Sequence, residues 1–363
     1  MDINKREFLK ALMTVTPFVA KRSTIPIVAG VLVNSEKGQL SFTCTDLEKR
    51  ASITVNYSGP DFRFVADANL LPKIVKFVKS DTFTLTIKHQ EHGDRIVIKD
   101  GTYKAELPCL VADDYPLKLK YKTDTTIEID ARMLSTALIF AGQAAPSDDS
   151  RKVLRSVNIN VLGGQINIVA TDGKRCHIAQ IPTDSGDSEP LLIPVSTIGA
   201  LNSALRERSG PITIEWGDKD CVFNLGDLEI SSKIVEGSYP NYRQIIPPAF
   251  ATTVQIDCNE FVQTFNAVIA VLDDMKAQFV EVDIGEDMTL QVKTQKGIMK
   301  ASLKIDEPLS DSIKINFAPG VLLSSIPACK LLAIDFNDSF SPVRFRPAGN
   351  SSIYSIVMPM RNK

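Results

Sequence analysis

Residues 129–138 read Ile-Asp-Ala-Arg-Met-Leu-Ser-Thr-Ala-Leu, which is the end of a strand, an aspartate and the first turns of an amphipathic helix. An aspartate at the start of a helix accepts a backbone N–H that has no partner within the helix. The same pattern begins at Ile3-Asn4 and at Ile256-Asp257, at spacings of 126 and 127 residues. One motif that recurs three times at nearly equal spacing indicates three copies of one structural unit.

Length and composition agree with three units in one globular chain. The chain has 363 residues, of which 44% are hydrophobic and 23% charged. Units of about 120 residues are each large enough to bury a core of their own. We therefore predict three domains at residues 1–122, 123–248 and 249–363.

The composition also bears on location and on metal chemistry. Charged residues interrupt the first 20 positions, which argues against a signal peptide, and no apolar run is long enough to span a membrane. We expect a cytoplasmic protein without membrane contact. The six cysteines form no C-x-x-C pair and are expected to be reduced and mostly buried. The three histidines are scattered, so we expect no metal site and no cofactor.

Each unit reads as strands with two helices. In the first unit, Val31-Leu32-Val33 is predicted to lie in a strand, and Val157-Asn158-Ile159 matches it 126 residues later. A second helix is predicted from Asp67 to about Lys79, and its apolar face includes Phe77. About eight strands and two helices per unit predict an α+β fold with mostly antiparallel sheets.

Positive charge is concentrated on helices. Lys73, Lys76 and Lys79 lie opposite the apolar face of the second helix, although the net charge of the chain is only −2. Such a stripe is either a solvated helix face or a lining that contacts phosphate. Repetition in the units favours the lining. The acidic residues Asp257 and Glu260 beside the first helix of unit three weaken that interpretation.

Motifs of common enzyme classes are missing. The sequence contains no G-x-x-x-x-G-K-[ST], G-x-G-x-x-G, H-E-x-x-H or G-x-S-x-G. Asp172-Gly173 could suggest a catalytic aspartate, but this dipeptide suits a two-residue type I′ hairpin turn, and we predict that structural role for it. We therefore expect a protein that is not an enzyme.

Three segments on the three-unit repeat resemble the bacterial DNA polymerase sliding clamp, the beta subunit of the DNA polymerase III holoenzyme. They are residues 170–175 (Ala-Thr-Asp-Gly-Lys-Arg), residues 238–243 (Ser-Tyr-Pro-Asn-Tyr-Arg) and residues 357–361 (Val-Met-Pro-Met-Arg). The resemblance covers the whole chain. It implies a ring-shaped homodimer of six clamp domains whose helices line the hole and whose sheets lie outside.

The implied function is to encircle double-stranded DNA, without regard to its sequence, and to tether a polymerase in DNA replication. A ring holds DNA by topology, so weak phosphate contacts are sufficient. The expected phosphate contacts are made by basic residues of the first two units: Lys10, Arg22, Lys73, Lys76, Arg151, Lys152 and Arg206.

The resemblance also implies a pocket between the second and third domains for peptides of the polymerase catalytic subunit, the clamp loader and other partners. The residues at the matching positions are Leu154, Thr171, Gly173, Lys174, Arg175, Cys176, Pro240, Ile245, Phe340, Pro342, Ile356, Met358, Pro359, Met360 and Arg361. Apolar residues with two flexible methionines suit several different peptides. The tail could instead be a plain last strand with a frayed end. Cys176 and Gln244 depart from the family pattern, which favours a larger apolar residue and a basic residue there.

The implied dimer seam joins an edge strand of domain one to the first-helix side of domain three. Ala105 and Leu107 of one subunit would then meet Val271 and Leu272 of the other. Two alternatives stay open from the sequence. One is a clamp-like protein hub that has lost DNA binding, and the other is a hydrolase on a duplicated α+β scaffold, which the missing motifs argue against.

Overall fold

The fold comes from a computed structural model, which describes residues 1–20, 24–91, 93–101, 103–116, 121–146, 151–272, 279–295 and 297–361. Within these ranges the chain forms six α-helices and 24 β-strands. The helices are α1 (Lys5–Val15), α2 (Leu70–Phe77), α3 (Ala131–Gly142), α4 (Val195–Leu205), α5 (Cys258–Ile269) and α6 (Pro319–Ser325).

The strands follow in three sets of eight within the described ranges. The first set is β1 (Asp2–Asn4), β2 (Gly30–Glu36), β3 (Gln39–Thr45), β4 (Lys49–Asn56), β5 (Phe62–Asp67), β6 (Thr82–Lys88), β7 (Arg95–Asp100) and β8 (Tyr103–Leu110). The second set is β9 (Thr125–Asp130), β10 (Ser156–Leu162), β11 (Gln165–Thr171), β12 (Arg175–Pro182), β13 (Leu191–Pro194), β14 (Pro211–Trp216), β15 (Asp220–Asn224) and β16 (Leu228–Lys233). The third set is β17 (Thr252–Asp257), β18 (Val280–Ile284), β19 (Met288–Thr294), β20 (Gly297–Leu303), β21 (Ile313–Phe317), β22 (Leu331–Phe336), β23 (Val343–Pro347) and β24 (Ile353–Val357).

The order of elements is the same in each set: one strand, one helix, four strands, one helix and three strands. This order confirms the predicted α+β class and the expected eight strands and two helices per repeat within the described residues. We call the three sets the first, second and third repeat. The domain bounds at 1–122, 123–248 and 249–363 stay a prediction.

The residue predicted to begin each first helix is a cap. The side chain of Asn4 accepts the N–H of Glu7 at 3.0 Å, and that of Asp257 accepts the N–H of Glu260 at 2.9 Å. Asp130 accepts the N–H groups of two residues of α3, at 2.9 and 3.1 Å. These bonds satisfy donors that the first turn of a helix leaves free.

The second helix of the first repeat is shorter than predicted. The carboxylate of Asp67 accepts the N–H of Asn69 and of Leu70, so α2 begins at Leu70 and not at Asp67. The helix ends at Phe77, and the next residue, Val78, turns into the core. Phe77 was predicted to be buried, but 71% of it is exposed, because the early end of the helix leaves its ring outside.

The chain divides into two compact units. The first consists of Met1–Ser135 and Ser196–Ile234, and the second of Thr136–Val195 and Val235–Lys363. The first unit holds a 12-stranded sheet in the order β1-β6-β7-β8-β5-β2-β3-β4-β16-β15-β14-β9. The second holds an eight-stranded sheet, β13-β10-β11-β12-β24-β23-β22-β17, and a four-stranded sheet, β20-β19-β18-β21.

Each large sheet crosses from one repeat to the next through one antiparallel strand pair. In the first unit β4 pairs with β16, and in the second unit β12 pairs with β24. Both pairs join the fourth strand of one repeat to the last strand of the following repeat. The equivalent strands that do not pair with each other within the chain are β20, the fourth strand of the third repeat, and β8, the last strand of the first repeat.

Candidate functional site: the β11–β12 loop and the C-terminal segment

The loop between β11 and β12 is closed by its own side chains. The hydroxyl of Thr171 donates to the carbonyl of Arg175 at 2.6 Å and accepts the N–H of Gly173 at 3.1 Å. The Asp172 carboxylate accepts the N–H groups of Lys174 and Arg175 at 2.9 and 3.0 Å. Gly173 has a φ of 87°, a value that glycine adopts without steric cost.

The predicted two-residue type I′ turn at Asp172-Gly173 is wrong. Such a turn needs positive φ at both residues, and of these two only Gly173 has it. In the structure, Thr171 on β11 pairs with Cys176 on β12. The loop between these two residues is longer than a two-residue turn, and the Asp172 carboxylate holds it in place. The predicted backbone role of Asp172 is therefore met through its side chain.

The C-terminal strand brings the tail beside this loop. Cys176 pairs with Ile356 between β12 and β24, and the N–H of Met358 donates to the carbonyl of Lys174 at 2.9 Å. The N–H of Met360 donates to the carbonyl of Asn316 at 2.7 Å. The tail is thus fixed at two points by backbone bonds, which argues against a frayed end.

An apolar cluster lies under the loop and the tail. Cys176 and Ile356 are fully buried in it, together with Tyr242, and Ile245 packs against it from the side. Burial raises the pKa of the Cys176 thiol to about 12, so the thiol is protonated and acts as a small apolar group.

Most predicted pocket residues lie around this cluster. The hydroxyl of Tyr239, the residue before Pro240, accepts the N–H of Thr171 at 3.1 Å. Pro342 precedes Val343, which pairs with Val357. Leu154 is buried in the short turn Lys152–Arg155.

The outer members of the predicted set are less connected. Phe340 is 65% exposed and sits in a turn capped by Asp338, while Arg361 is exposed at the end of the described chain. Among the described residues, neither of them hydrogen-bonds to another member of the set. Met358 and Pro359 are partly exposed beside the loop.

Sequence reasoning missed the polar contacts that tie the loop to α6. Arg175 forms an ion pair with Asp172 at 3.2 Å, and its guanidinium also donates to the hydroxyl of Ser324 on α6. His177, the residue after Cys176, is fully buried, and its Nε2 lies 3.0 Å from the hydroxyl oxygen of Ser325. A scattered histidine has no distinguishing sequence pattern, so only the strand pairing of β12 reveals it.

The predicted phosphate contacts are mostly at the surface. Arg22 lies outside the described residues, and all the others are exposed: Lys10, Lys73, Lys76, Arg151, Lys152 and Arg206. Lys10 lines a groove of about 840 Å³ together with Arg6 and Arg208, and the acidic residues Asp81, Glu207 and Asp227 also line it. In the second unit, Arg151 lies beside Gly173, with Nη1 3.5 Å from the position that a Cβ atom would take there.

The predicted seam residues differ in exposure. Ala105 on β8 is half-buried, and so are Val271 and Leu272 at the end of α5, where both pack on the core of the second unit. Leu107 is only 2% exposed, so its side chain belongs to the core of its own unit.

The described residues form neither a metal-binding cluster nor a membrane-spanning helix. Among the described residues, no three His, Cys, Asp or Glu side chains cluster in a way that could hold a metal ion. No helix in the described ranges is long and apolar enough to cross a membrane. The six cysteines, all within these ranges, are unpaired, and only Cys329 is partly exposed.

Comparison with known proteins places these features in a family. Residues 1–120 match the N-terminal domain of the DNA polymerase III beta subunit, and residues 128–241 match its central domain. The chain is 24% identical to the beta sliding clamp of Salmonella typhimurium over 99% of both chains. It is 21% identical to that of Staphylococcus aureus, over 99% of this chain and 98% of the relative.

A solved structure shows the same fold over the whole length. The sliding clamp of Pseudomonas aeruginosa bound to griselimycin aligns with a TM-score of 0.91 at 24% identity, covering 100% of this chain and 99% of that one. Two family domains in order, relatives matched end to end and a shared fold agree with the resemblance seen in the sequence. The chain therefore belongs to the family of the bacterial beta sliding clamp, the beta subunit of DNA polymerase III.

Proposed function

We propose that two copies of the chain close into a ring around duplex DNA and act as a processivity factor without catalytic activity. The ring tethers the polymerase catalytic subunit, the clamp loader and other partners through peptides that bind beside the β11–β12 loop. The repeated strand pairing is the observation that carries this proposal.

The two junctions within the chain have the same register. Ala51 on β4 pairs with Ile230 on β16, and His177 on β12 pairs with Ser355 on β24. Following the hairpin registers from Val33, Ile159 and Val282 through the three repeats makes Ala51 and His177 equivalent to Met299 on β20. The same procedure makes Ile230 and Ser355 equivalent to Ala105 on β8.

A third junction of this kind can form only between two chains. In it, Met299 pairs with the partner subunit's Ala105, and Ile298 with the partner's Glu106. The described residues leave the outer edge of β20 unpaired, and β8 pairs with β5 only at Leu110 and Cys109. An unpaired strand edge is a template for another strand.

Exposed apolar side chains beside these edges support the seam. Ile298 is 64% exposed on β20. Phe77 is exposed at the end of α2. This helix lies next to β8, because the hydroxyl of Tyr103 on β8 donates to the carbonyl of Ile74 on α2 at 3.3 Å. We therefore assign the seam to the backbone of β8 and to Phe77 on one side, where sequence reasoning had used the side chain of Leu107. Val271 and Leu272 stay on the other side.

The charge distribution supports loose contact with DNA. The net charge is −2, so the chain as a whole does not attract a polyanion. Phosphate contact then depends on a few exposed cations, among them Lys10, Lys73 and Lys76. Each such contact adds a salt-dependent term with no sequence preference, which is compatible with sliding.

Ligands of similar proteins support the peptide pocket. The Pseudomonas aeruginosa clamp binds griselimycin, and the C. crescentus clamp holds PEG at a putative beta-motif tethering region. In this chain, the fixed tail, the apolar cluster and the half-exposed Met358 and Met360 provide a comparable surface.

Retention on DNA of defined topology tests the ring. The protein is loaded on nicked circular plasmid with a bacterial clamp loader and separated by gel filtration before and after one cut by a restriction enzyme. We expect it to stay on the circles and to leave the linear DNA. Leu272→Asp should give monomers by light scattering and no retention, whereas Leu162→Asp, at an exposed leucine on β10 outside the proposed seam, should behave as the unchanged protein.

The competing function is a clamp-like protein hub without DNA binding. Asp257 and Glu260 place negative charge at the start of α5, where the first two repeats carry basic residues on their first helices. A protein that forms dimers and binds peptides but is absent from both circular and linear DNA would establish this alternative.

A further inference from the structure

The β3–β4 loop of the first repeat repeats the bonding of the β11–β12 loop. The hydroxyl of Thr45 donates to the carbonyl of Lys49 at 2.8 Å and accepts the N–H of Leu47 at 3.0 Å. The Asp46 carboxylate accepts the N–H groups of Glu48 and Lys49 at 3.0 and 2.8 Å, and it also forms an ion pair with the Lys49 ammonium group. Each of these contacts has its counterpart 126 residues later.

The strand that follows the loop is also fixed in the same way. The N–H of Lys233 donates to the carbonyl of Glu48 at 2.8 Å, as the N–H of Met358 donates to the carbonyl of Lys174 at 2.9 Å. Lys233 ends β16 just as Met358 follows β24. The chain therefore holds two copies of the loop-and-strand frame, and only the second lies at the proposed peptide pocket.

The first frame encloses an open cavity of about 370 Å³. This volume lies within the range of ligand pockets, roughly 300–1,000 Å³. Leu47, Pro116 and Tyr121 give the cavity apolar walls. Lys233 is ion-paired with Glu48 at 3.2 Å and Lys49 with Asp46, while Arg50, which donates to the carbonyl of Pro116 at 2.8 Å, adds positive charge to the lining. The lining has three basic side chains against two acidic ones.

Leu47 has a backbone conformation that favours glycine. Its φ is 75°, and the equivalent residue, Gly173, has a φ of 87°. A side chain in this region costs on the order of 1 kcal/mol, and Leu47 is also 45% exposed, so it gains little from burial in return. Strained backbone conformations of this kind cluster at binding and catalytic sites.

We propose that the first frame is a second docking site, which takes an extended peptide with an apolar side chain next to a carboxylate. The apolar side chain packs on Leu47 and Tyr121, and the carboxylate lies toward Arg50. The peptide backbone follows the exposed end of β16. The ligand class rests on the proposed function of the equivalent frame, but the site itself rests on the cavity, the repeated bonds and the strain at Leu47.

Hydrogen–deuterium exchange locates the peptide at either frame. The probe is an unlabelled hexapeptide of alternating leucine and aspartate at millimolar concentration. We expect protection of residues 45–50 and 230–233, in addition to residues 171–176 and 355–361. Glycine and asparagine both tolerate positive φ, and either one in place of Leu47 removes the apolar contact. In Leu47→Gly and in Leu47→Asn, about tenfold more peptide should therefore be needed for the same protection of the first frame.

Two controls separate the frames. Among the described residues, Lys37 is the one non-glycine residue besides Leu47 that has positive φ. Lys37→Gly should leave both frames protected. The double variant Met358→Ala/Met360→Ala should lose protection at the second frame only. Protection that never reaches residues 45–50 overturns the proposed second site, while the second frame still reports on the proposed function. Protection of neither frame overturns both.

Discussion

The Nε2 atom of His177 lies 3.0 Å from the hydroxyl oxygen of Ser325, and both side chains are fully buried. Nδ1 of the same ring lies 2.8 Å from the carbonyl oxygen of Phe140. Because a carbonyl only accepts, Nδ1 carries the proton of the neutral ring, and Nε2 faces the hydroxyl of Ser325, whose one proton also has the Val321 carbonyl as an acceptor at 2.7 Å. The Ser325 carbonyl in turn accepts the hydroxyl of Ser355 at 2.6 Å. One imidazole thus connects β12 to α6 and β24 behind the candidate pocket.

Stability should fall in mild acid because of His177. Burial lowers the pKa of His177 to about 4 in the folded protein, from 6.5 for an exposed ring. Between these values the unfolded chain binds the extra proton, so the free energy of unfolding decreases as the pH falls from 6.5 to 4. The loss is about 3 kcal/mol. Urea unfolding at pH 7 and pH 4.5 measures it, and His177→Gln should show a smaller decrease. Equal decreases in both proteins would contradict this role.

Asp335 on β22 should be essential for the stability of the eight-stranded sheet. Its buried carboxylate accepts bonds from Arg344 at 2.7 Å, from Arg346 at 2.8 Å and from Thr253 at 2.7 Å. Burial alone would raise its pKa, but the bonds from Arg346, Thr253 and Arg344 lower it below the usual value. Its stabilising effect is therefore complete above the unfolded pKa of 3.8 and is lost as the pH falls through the lower folded value.

Asp335→Asn should cost about 3 kcal/mol in urea unfolding, because it leaves two partly buried arginines without their counter-charge. The matched control is Asp287→Asn, which breaks a pair with Lys304, a side chain that is 87% exposed. Exposed pairs contribute roughly 0–1 kcal/mol. Similar losses for the two variants would show that the bonds between Asp335 and its arginines stabilise the fold no more than an exposed ion pair does.

Cysteine cross-linking can test the proposed register between β20 of one subunit and β8 of the other. Ile298→Cys combined with Glu106→Cys should give a covalent dimer under mild oxidation, since directly opposed residues of antiparallel strands lie about 4.5–5.5 Å apart, within disulfide range. Ile298→Cys combined with Lys104→Cys moves one thiol by two residues and should cross-link poorly. Non-reducing gel electrophoresis measures both. Efficient cross-linking of the second pair alone would shift the seam, and cross-linking of neither would exclude it.

The two methionines of the tail should carry peptide affinity. Met358→Ala combined with Met360→Ala removes flexible apolar surface beside the β11–β12 loop but leaves the backbone bonds of the tail in place. Affinity for a polymerase-derived peptide, measured by fluorescence polarisation, should fall at least tenfold, as expected for the loss of two partly buried side chains. Dimer formation and retention on circular DNA should not change. An unchanged peptide affinity would place the pocket elsewhere.

The repeat and the start of the first helix in each repeat were predictable because both depend on local sequence. Asn4, Asp130 and Asp257 cap their helices as their positions indicate. Phe77 was misplaced because the end of α2 depends on Val78 turning into the core, which helical periodicity does not express. Within the site, the loop and the tail followed from the family resemblance. His177 and Ser325 did not, because they meet only through pairing between strands far apart in sequence.

The two leftover strand edges, β8 and β20, have a consequence for how a closed ring would open. They are unlike each other, so each contact between subunits joins different surfaces, and two copies close by forming two such contacts. These contacts are chemically identical, and neither one is a designated gate. In the proposed ring, a loader would therefore have to separate only one of them, while the other would hold the halves together as a hinge. A mixed pair with a single Leu272→Asp subunit would keep that hinge permanently and stand open on one side.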